Sequence, residues 1–208
     1  MALIAFAAAT TALAADPVYY DVARGSHPND VAAAPTPGGP VYYTAQSTGK
    51  LGILNPVTGK YDEVALGARS SPHGVVVGPD GAPWITDGGQ NAIVRVDPVT
   101  RQVCKFPLPA DFGYANLNTL TFDRKGRVWF TGQSGIYGKV DPATGEVKVW
   151  QAPRGRIWVS YWNTGQVGMY DPAARTWREW KLPCSRNGPK NVARVQTHDG
   201  SPWGNRSK

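Results

Sequence analysis

The chain has 208 residues with 24 glycines and 18 prolines, and no sustained 3.6-residue period follows its first residues, so helical architectures are excluded and an all-β chain is expected. Its formal charge of +7 is uneven, because residues 184–208 alone contribute +4 and the remaining bases are interspersed with acids. No basic stripe suited to nucleic acid is present.

In chain order, residues 2–13 form a short apolar run, and Ala12-Leu13-Ala14 followed by Ala15-Asp16 offers small residues suited to signal-peptidase cleavage. Residues 1–14 therefore read as a signal peptide, although no Lys or Arg precedes the run. The run is well short of the roughly 20 apolar residues that span a bilayer. A secreted or periplasmic protein without a membrane anchor is expected.

From residue 27 a phrase repeats four times: an aromatic slot, a polar turn, then an Asn/Asp-Pro corner. The copies are Val41-Tyr42-Tyr43-Thr44 to Asn55-Pro56, Pro83-Trp84-Ile85-Thr86 to Asp97-Pro98, Val128-Trp129-Phe130-Thr131 to Asp141-Pro142, and Ile157-Trp158-Val159-Ser160 to Asp171-Pro172. The corners are spaced 42, 44 and 30 residues apart. The first two spacings fit a four-stranded propeller blade, and the third is short by about a dozen residues.

Turn chemistry parses each copy into strands. The first blade, within residues 27–67, is expected to use Val31 to Ala34, Val41 to Thr44, Lys50 to Leu54 and Tyr61 to Leu66. The second, within 72–109, uses Gly74 to Val77, Trp84 to Thr86, Ala92 to Val96 and Gln102 to Leu108. The third, within 115–153, uses Thr119 to Phe122, Arg127 to Thr131, Ile136 to Val140 and Glu146 to Gln151. A fourth, within 156–183, opens directly on what should be a second strand. Only Ile157 to Ser160, Gln166 to Tyr170 and Thr176 to Leu182 remain to it. The expectation is a partial β-propeller of three complete blades and an incomplete fourth.

Beyond Pro183 the pattern stops. Residues 184–208 read as a disordered or non-native basic tail, consistent with an internal deletion and a shifted reading frame. Of the two cysteines, Cys104 sits in a strand-like run as a small buried side chain, and neither it nor Cys184 has disulfide-framework or zinc spacing. Tyr42, Trp84, Trp129 and Trp158 recur at one strand position, as packing between neighbouring blades requires. The Asp-Pro corners are turn formers and not a metal series.

Pro72-His73-Gly74-Val75, Pro79-Asp80-Gly81, Trp84-Ile85-Thr86-Asp87, Asp141-Pro142-Ala143-Thr144-Gly145 and Trp158-Val159-Ser160-Tyr161-Trp162-Asn163 resemble the virginiamycin B lyase (streptogramin lyase) family. The resemblance covers residues 27–183, roughly half of that family's seven-bladed propeller, so the chain looks like a truncated or internally deleted member. It implies elimination that opens a cyclic depsipeptide at its ester, with a His general base and Mg²⁺ near the channel mouth. The family's Pro-His-Gly phrase and the acid fourteen residues later match His73 as the catalytic group and Asp87 as the metal ligand.

Independently of the family, His73 lies just before an inner strand and Asp87 just after the adjacent one, so a hairpin brings both to one end of the blade. The slot of His73 holds Asn29 in the first blade and Asn118 in the third, and the slot of Asp87 holds Tyr161 in the fourth. Asn29, Asn118 and Tyr161 are therefore candidate binding residues for a small-molecule or peptide ligand at the mouth. His73 reads equally as a polar channel-end residue. A non-enzymatic binding propeller and an inactive fragment stand beside the lyase reading.

Overall fold

The computed structural model describes residues 17–152, 157–161, 166–171 and 173–181, with the backbone alone for 157–161. The signal peptide expected at residues 1–14 and the tail expected at 184–208 lie outside the described residues.

Among the described residues fifteen strands fall into four antiparallel sheets, each a meander in chain order. Blade one comprises β1 (Pro28–Ala33), β2 (Val41–Ala45), β3 (Lys50–Leu54) and β4 (Tyr61–Ala65). Blade two comprises β5 (Pro72–Val77), β6 (Pro83–Asp87), β7 (Ala92–Val96) and β8 (Val103–Pro107). Blade three comprises β9 (Leu117–Phe122), β10 (Val128–Gly132), β11 (Ile136–Val140) and β12 (Val147–Gln151). Blade four has β13 (Ile157–Tyr161), β14 (Gln166–Asp171) and β15 (Thr176–Lys181), in the order β13-β14-β15. The inner strands β1, β5 and β9 pack side by side, which is the radial arrangement of a propeller. The all-β partial propeller expected from the repeats is the fold observed.

Two apolar layers hold the blades together. Tyr42, Leu51 and Ile53 of blade one pack against Val75, Ile85, Val94 and Val96 of blade two. In the next layer Trp84 and Ile93 of blade two meet Leu117, Leu120, Val128, Phe130, Ile136 and Val140 of blade three. Trp84 is 2% exposed, stacks on Phe106 at 5.4 Å and meets the edge of Phe122 at 5.7 Å. Tyr42 and Trp84 thus take the inter-blade place expected of them, whereas Trp129 is only half-buried and the side chain of Trp158 lies outside the described residues. Cys104, expected to be buried, is a half-exposed free thiol on β8, an outermost strand with little to cover it.

The turns contribute more than reversal. Asp80 of the Pro-Asp-Gly turn accepts from Trp84 Nε1 at 3.2 Å and from Arg95 Nε at 2.8 Å. Asp123 does the same for Trp129 Nε1 at 2.9 Å and Arg127 Nε at 2.7 Å. Burial alone would raise the Asp123 carboxyl, but these hydrogen bonds hold it well below the usual carboxylate range. Each indole is thereby fixed by the turn just before its own strand. At the Asn/Asp-Pro corners, Asn55, Asp97, Asp141 and Asp171 each cap the backbone two residues on, as turn formers should.

On the opposite face of blade one, Tyr43 lies over Gly52, its cross-strand partner, at a distance that leaves no room for a Cβ. Phe130 covers Gly138 in the same way in blade three. Tyr43 is 5% exposed, and burial, then the nearby Glu63 and Tyr61, push its phenol up from 10.0 to about 12. A phenol raised in the folded state contributes stability that is complete below the unfolded pKa and is lost as pH rises toward the folded one. Unfolding by urea should therefore become easier between pH 10.0 and about 12, and Tyr43→Phe should flatten that decline. A decline equally steep in the variant would show that another group controls it.

Candidate active site at the channel mouth

The three inner strands line an open, largely apolar trough of about 970 Å³. Its walls are Asp30–Ala33, Val75–Val77 and Thr119–Phe122. Each inner strand carries a β-bulge at its amino-terminal end, between Pro28 and Val31, between Pro72 and Val75, and in the Leu117–Leu120 stretch. Inner strands were expected to begin at Val31, Gly74 and Thr119. They begin two or three residues earlier, because the bulge keeps the Pro/Leu and Asn/His positions within the strand.

That bulge places three of the expected site residues. Asn29, His73 and Asn118 occupy the same bulge position on β1, β5 and β9; none of the three lines the trough, whose lining runs instead to Gly78, Pro79, Gly81, Asp123, Arg124 and Gly126 at the other end of the inner strands. Asn29 is exposed, and His73 and Asn118 are half-buried. Asn29 Nδ2 donates to the His73 carbonyl at 3.3 Å, which brings those two residues together across the boundary of blades one and two. Asn118 Oδ1 accepts from Thr119 Oγ1 at 2.7 Å. The fourth blade's Tyr161 closes β13, paired with Gln166, and its side chain lies outside the described residues.

The bulges are locked by residues that the sequence reading did not single out. Thr44 Oγ1, on the second strand of blade one, accepts from Asp30 N at 3.0 Å and donates to the His73 carbonyl at 2.8 Å. Thr86 Oγ1, one blade on, accepts from Gly74 N at 2.8 Å and donates to the Asn118 carbonyl at 2.6 Å. Asp30 Oδ2 also accepts from Val75 N at 3.0 Å, joining the same two blades. Gly74 sits so near the Asn118 carbonyl that a Cβ would lie 2.7 Å from it, which explains why glycine follows His73. The Thr or Ser fourth in every copy of the repeated phrase was the available signal.

Asp87 has a different role from the one implied by resemblance. Its backbone does lie opposite Pro72, at the same end of the blade as His73. Yet its carboxylate is 0% exposed and accepts four hydrogen bonds. Oδ1 receives Ser71 N at 2.9 Å and Gln90 N at 3.0 Å, and Oδ2 receives Ser70 Oγ at 2.5 Å and Gln90 Nε2 at 2.8 Å. A carboxylate has about four acceptor positions, so these donors leave none for a cation. Among the described residues no group of three or more His, Cys, Asp or Glu is arranged to hold a metal ion. The residues present do not fit Mg²⁺ at Asp87; the carboxylate instead clamps the turn between β6 and β7 to the strand entry at Ser70 and Ser71.

No family model matches the sequence. Over 84 residues the chain is 36% identical to a gluconolactonase of Zymomonas mobilis, an alignment that covers 38% of this chain and 23% of that protein. Among solved structures, a streptogramin B lyase superposes with a TM-score of 0.59 at 23% identity, covering 80% of this chain and 58% of the lyase. A catalytically inactive virginiamycin B lyase from Staphylococcus aureus, determined with quinupristin, superposes with a TM-score of 0.59 at 20% identity, over 78% of this chain and 58% of that one. The chain thus spans well under two thirds of the length of these proteins.

Replacing Asp87 with Ala should cost about 3 kcal/mol of folding stability by urea denaturation, since it strands four part-buried donors. Addition of Mg²⁺ should leave the melting temperature of the parent chain unchanged. A stable Asp87→Ala chain, or a Mg²⁺-dependent rise in melting temperature lost in that variant, would return Asp87 to the role of metal ligand. The likeness expected from the repeats is borne out in the fold: the chain is a partial β-propeller with the architecture of the streptogramin B lyases.

Proposed function

We propose that the chain is an exported, streptogramin-lyase-like propeller that holds a cyclic depsipeptide at the bulged ends of its inner strands. The observation that carries this reading is that Asn29, His73 and Asn118 stand at one bulge position in three successive blades, on the same inner strands whose later residues line an apolar trough of about 970 Å³. Small-molecule sites commonly enclose roughly 300–1,000 Å³ of mostly apolar space with a few convergent polar groups. Among these three side chains His73 alone is of a type that serves as a general base, since the amides of Asn29 and Asn118 are not basic. In the proposed step the imidazole removes a proton from carbon beside the ester. The released electron pair forms a carbon–carbon double bond, the carbon–oxygen bond breaks, and the ring opens with a carboxylate as leaving group. Asn29 and Asn118 orient the ligand by hydrogen bonds from their amides. No step is assigned to a metal.

A second reading, a propeller that binds such a ligand without transforming it, is favoured by one observation. Asp87, whose backbone lies at the same end of the blade as His73, has its carboxylate consumed by the fold. Incubation with quinupristin, followed by chromatography and mass spectrometry, separates the two. Elimination yields a linear isomer of unchanged mass, whereas hydrolysis would add one water. His73→Ala is expected to reduce turnover by about 10²-fold or more. Bound but unaltered quinupristin would leave the binding reading in place, and the absence of both binding and turnover would sink both.

A further inference from the structure

The corner turn of each blade holds its fifth residue at positive φ, a conformation that favours glycine. Blades one and three supply Gly59 at φ 71° and Gly145 at φ 74°, each with its N–H bonded back to the first residue of the turn. Blade two makes the same turn with Arg101 at φ 64°, and blade four has Arg175 at φ 52°. The two arginines differ in setting, because Arg175 is exposed whereas Arg101 is half-buried. Strain of this kind persists where the side chain that bears it has a use.

Arg101 lines a cavity of about 440 Å³ at the boundary of blades one and two. Blade one contributes Ile53, Asn55, Thr58, Lys60 and Asp62 to the same cavity. Strand pairing sets Asp62, Ile53 and Tyr42 in one row across β4, β3 and β2, and Ile53 and Tyr42 pack against blade two. The Arg101 charge reaches that row, since burial raises the Tyr42 phenol and the arginine partly offsets the rise. Among the described residues neither Lys60 nor Arg101 is ion-paired. Asn55 Oδ1 accepts from Val57 N at 2.9 Å and Thr58 N at 3.1 Å, which leaves its amide nitrogen to donate. Thr58 Oγ1 accepts from Lys60 N at 3.3 Å and keeps its own proton.

We infer that this inter-blade cavity is a binding site for a small sugar phosphate. Two cations from different blades suit a doubly charged phosphate, and the planar fork of Arg101 can grip two of its oxygens at once. Asp62 would repel a bare anion, so the ligand must bring donors to it, and sugar hydroxyls are such donors. Asn55 and Thr58 donate from the turn, and Ile53 gives the carbon skeleton an apolar floor. The corner turn lies at the opposite end of each blade from the bulge that carries His73, so the site is independent of the proposed elimination.

The probes are inorganic sulfate, inorganic phosphate and glucose 6-phosphate, each titrated into the full chain by calorimetry at fixed ionic strength. One glucose 6-phosphate should bind per chain, about tenfold tighter than inorganic phosphate, since a hydrogen bond to a charged group is worth roughly that factor. Arg101→Gly should weaken its binding about tenfold or more. The melting temperature of that variant should not fall, because glycine serves the same turn in blades one and three. Lys60→Met, at an exposed position, should weaken binding in the same direction, and Asp62→Ala should abolish the preference for glucose 6-phosphate over inorganic phosphate. Absence of saturable glucose 6-phosphate binding, or affinity unchanged in Arg101→Gly or in Lys60→Met, would overturn the inference. Equal affinity for sulfate and glucose 6-phosphate would overturn it as well, by reducing the cavity to a general anion site.

Discussion

A single hydroxyl group, repeated from blade to blade, sets the geometry on which the rest of the molecule depends. Backbone pairing ends at the edge of each sheet, so neighbouring blades are held by side chains alone. Apolar layers around Tyr42 and Trp84 supply cohesion but little angular definition. Direction comes from Thr44 and Thr86, which join the bulge N–H of their own blade to the bulge carbonyl of the next. The bulge disrupts the ladder and leaves polar groups that would be costly to bury unpaired. The threonine satisfies them and, in doing so, fixes where Asn29, His73 and Asn118 stand. Fold and candidate site therefore share one constraint.

Much of the architecture was legible because its signals are local. Asn/Asp-Pro corners, Pro-Asp-Gly turns and alternating strands such as Ala92–Val96 declare themselves within a few residues. The inner strands were placed two or three residues late for a definite reason. Pro28, Pro72 and the polar residues after them read as punctuation, while a bulge admits them to the sheet. The roles of Thr44, Thr86 and Asp30 lay beyond a local reading, since each acts across a blade boundary. The carboxylates of Asp80 and Asp123, in the turns before β6 and β10, also hold the indoles that follow them, which the turn pattern alone does not reveal.

The candidate site was legible in part. Spacing correctly brought His73 and Asp87 to one end of a hairpin, because antiparallel pairing obliges it. Spacing carries no information on whether a carboxylate faces ligand or backbone. Ser70, Ser71 and Gln90 decide that, and they become relevant to Asp87 only once the chain has turned. The shared architecture with the lyases is likewise a property of the repeat, and a fold of this kind does not by itself specify a chemistry.

The aromatic rings seated on Gly52 and Gly138 have a dynamic consequence. Each ring rests flat where a side chain would otherwise stand, and it can turn over only if its strand lifts away from the neighbouring one. Rotation of Tyr43 and Phe130 is thereby geared to the breathing of blades one and three, so line shapes of their ring protons would clock those sheets separately.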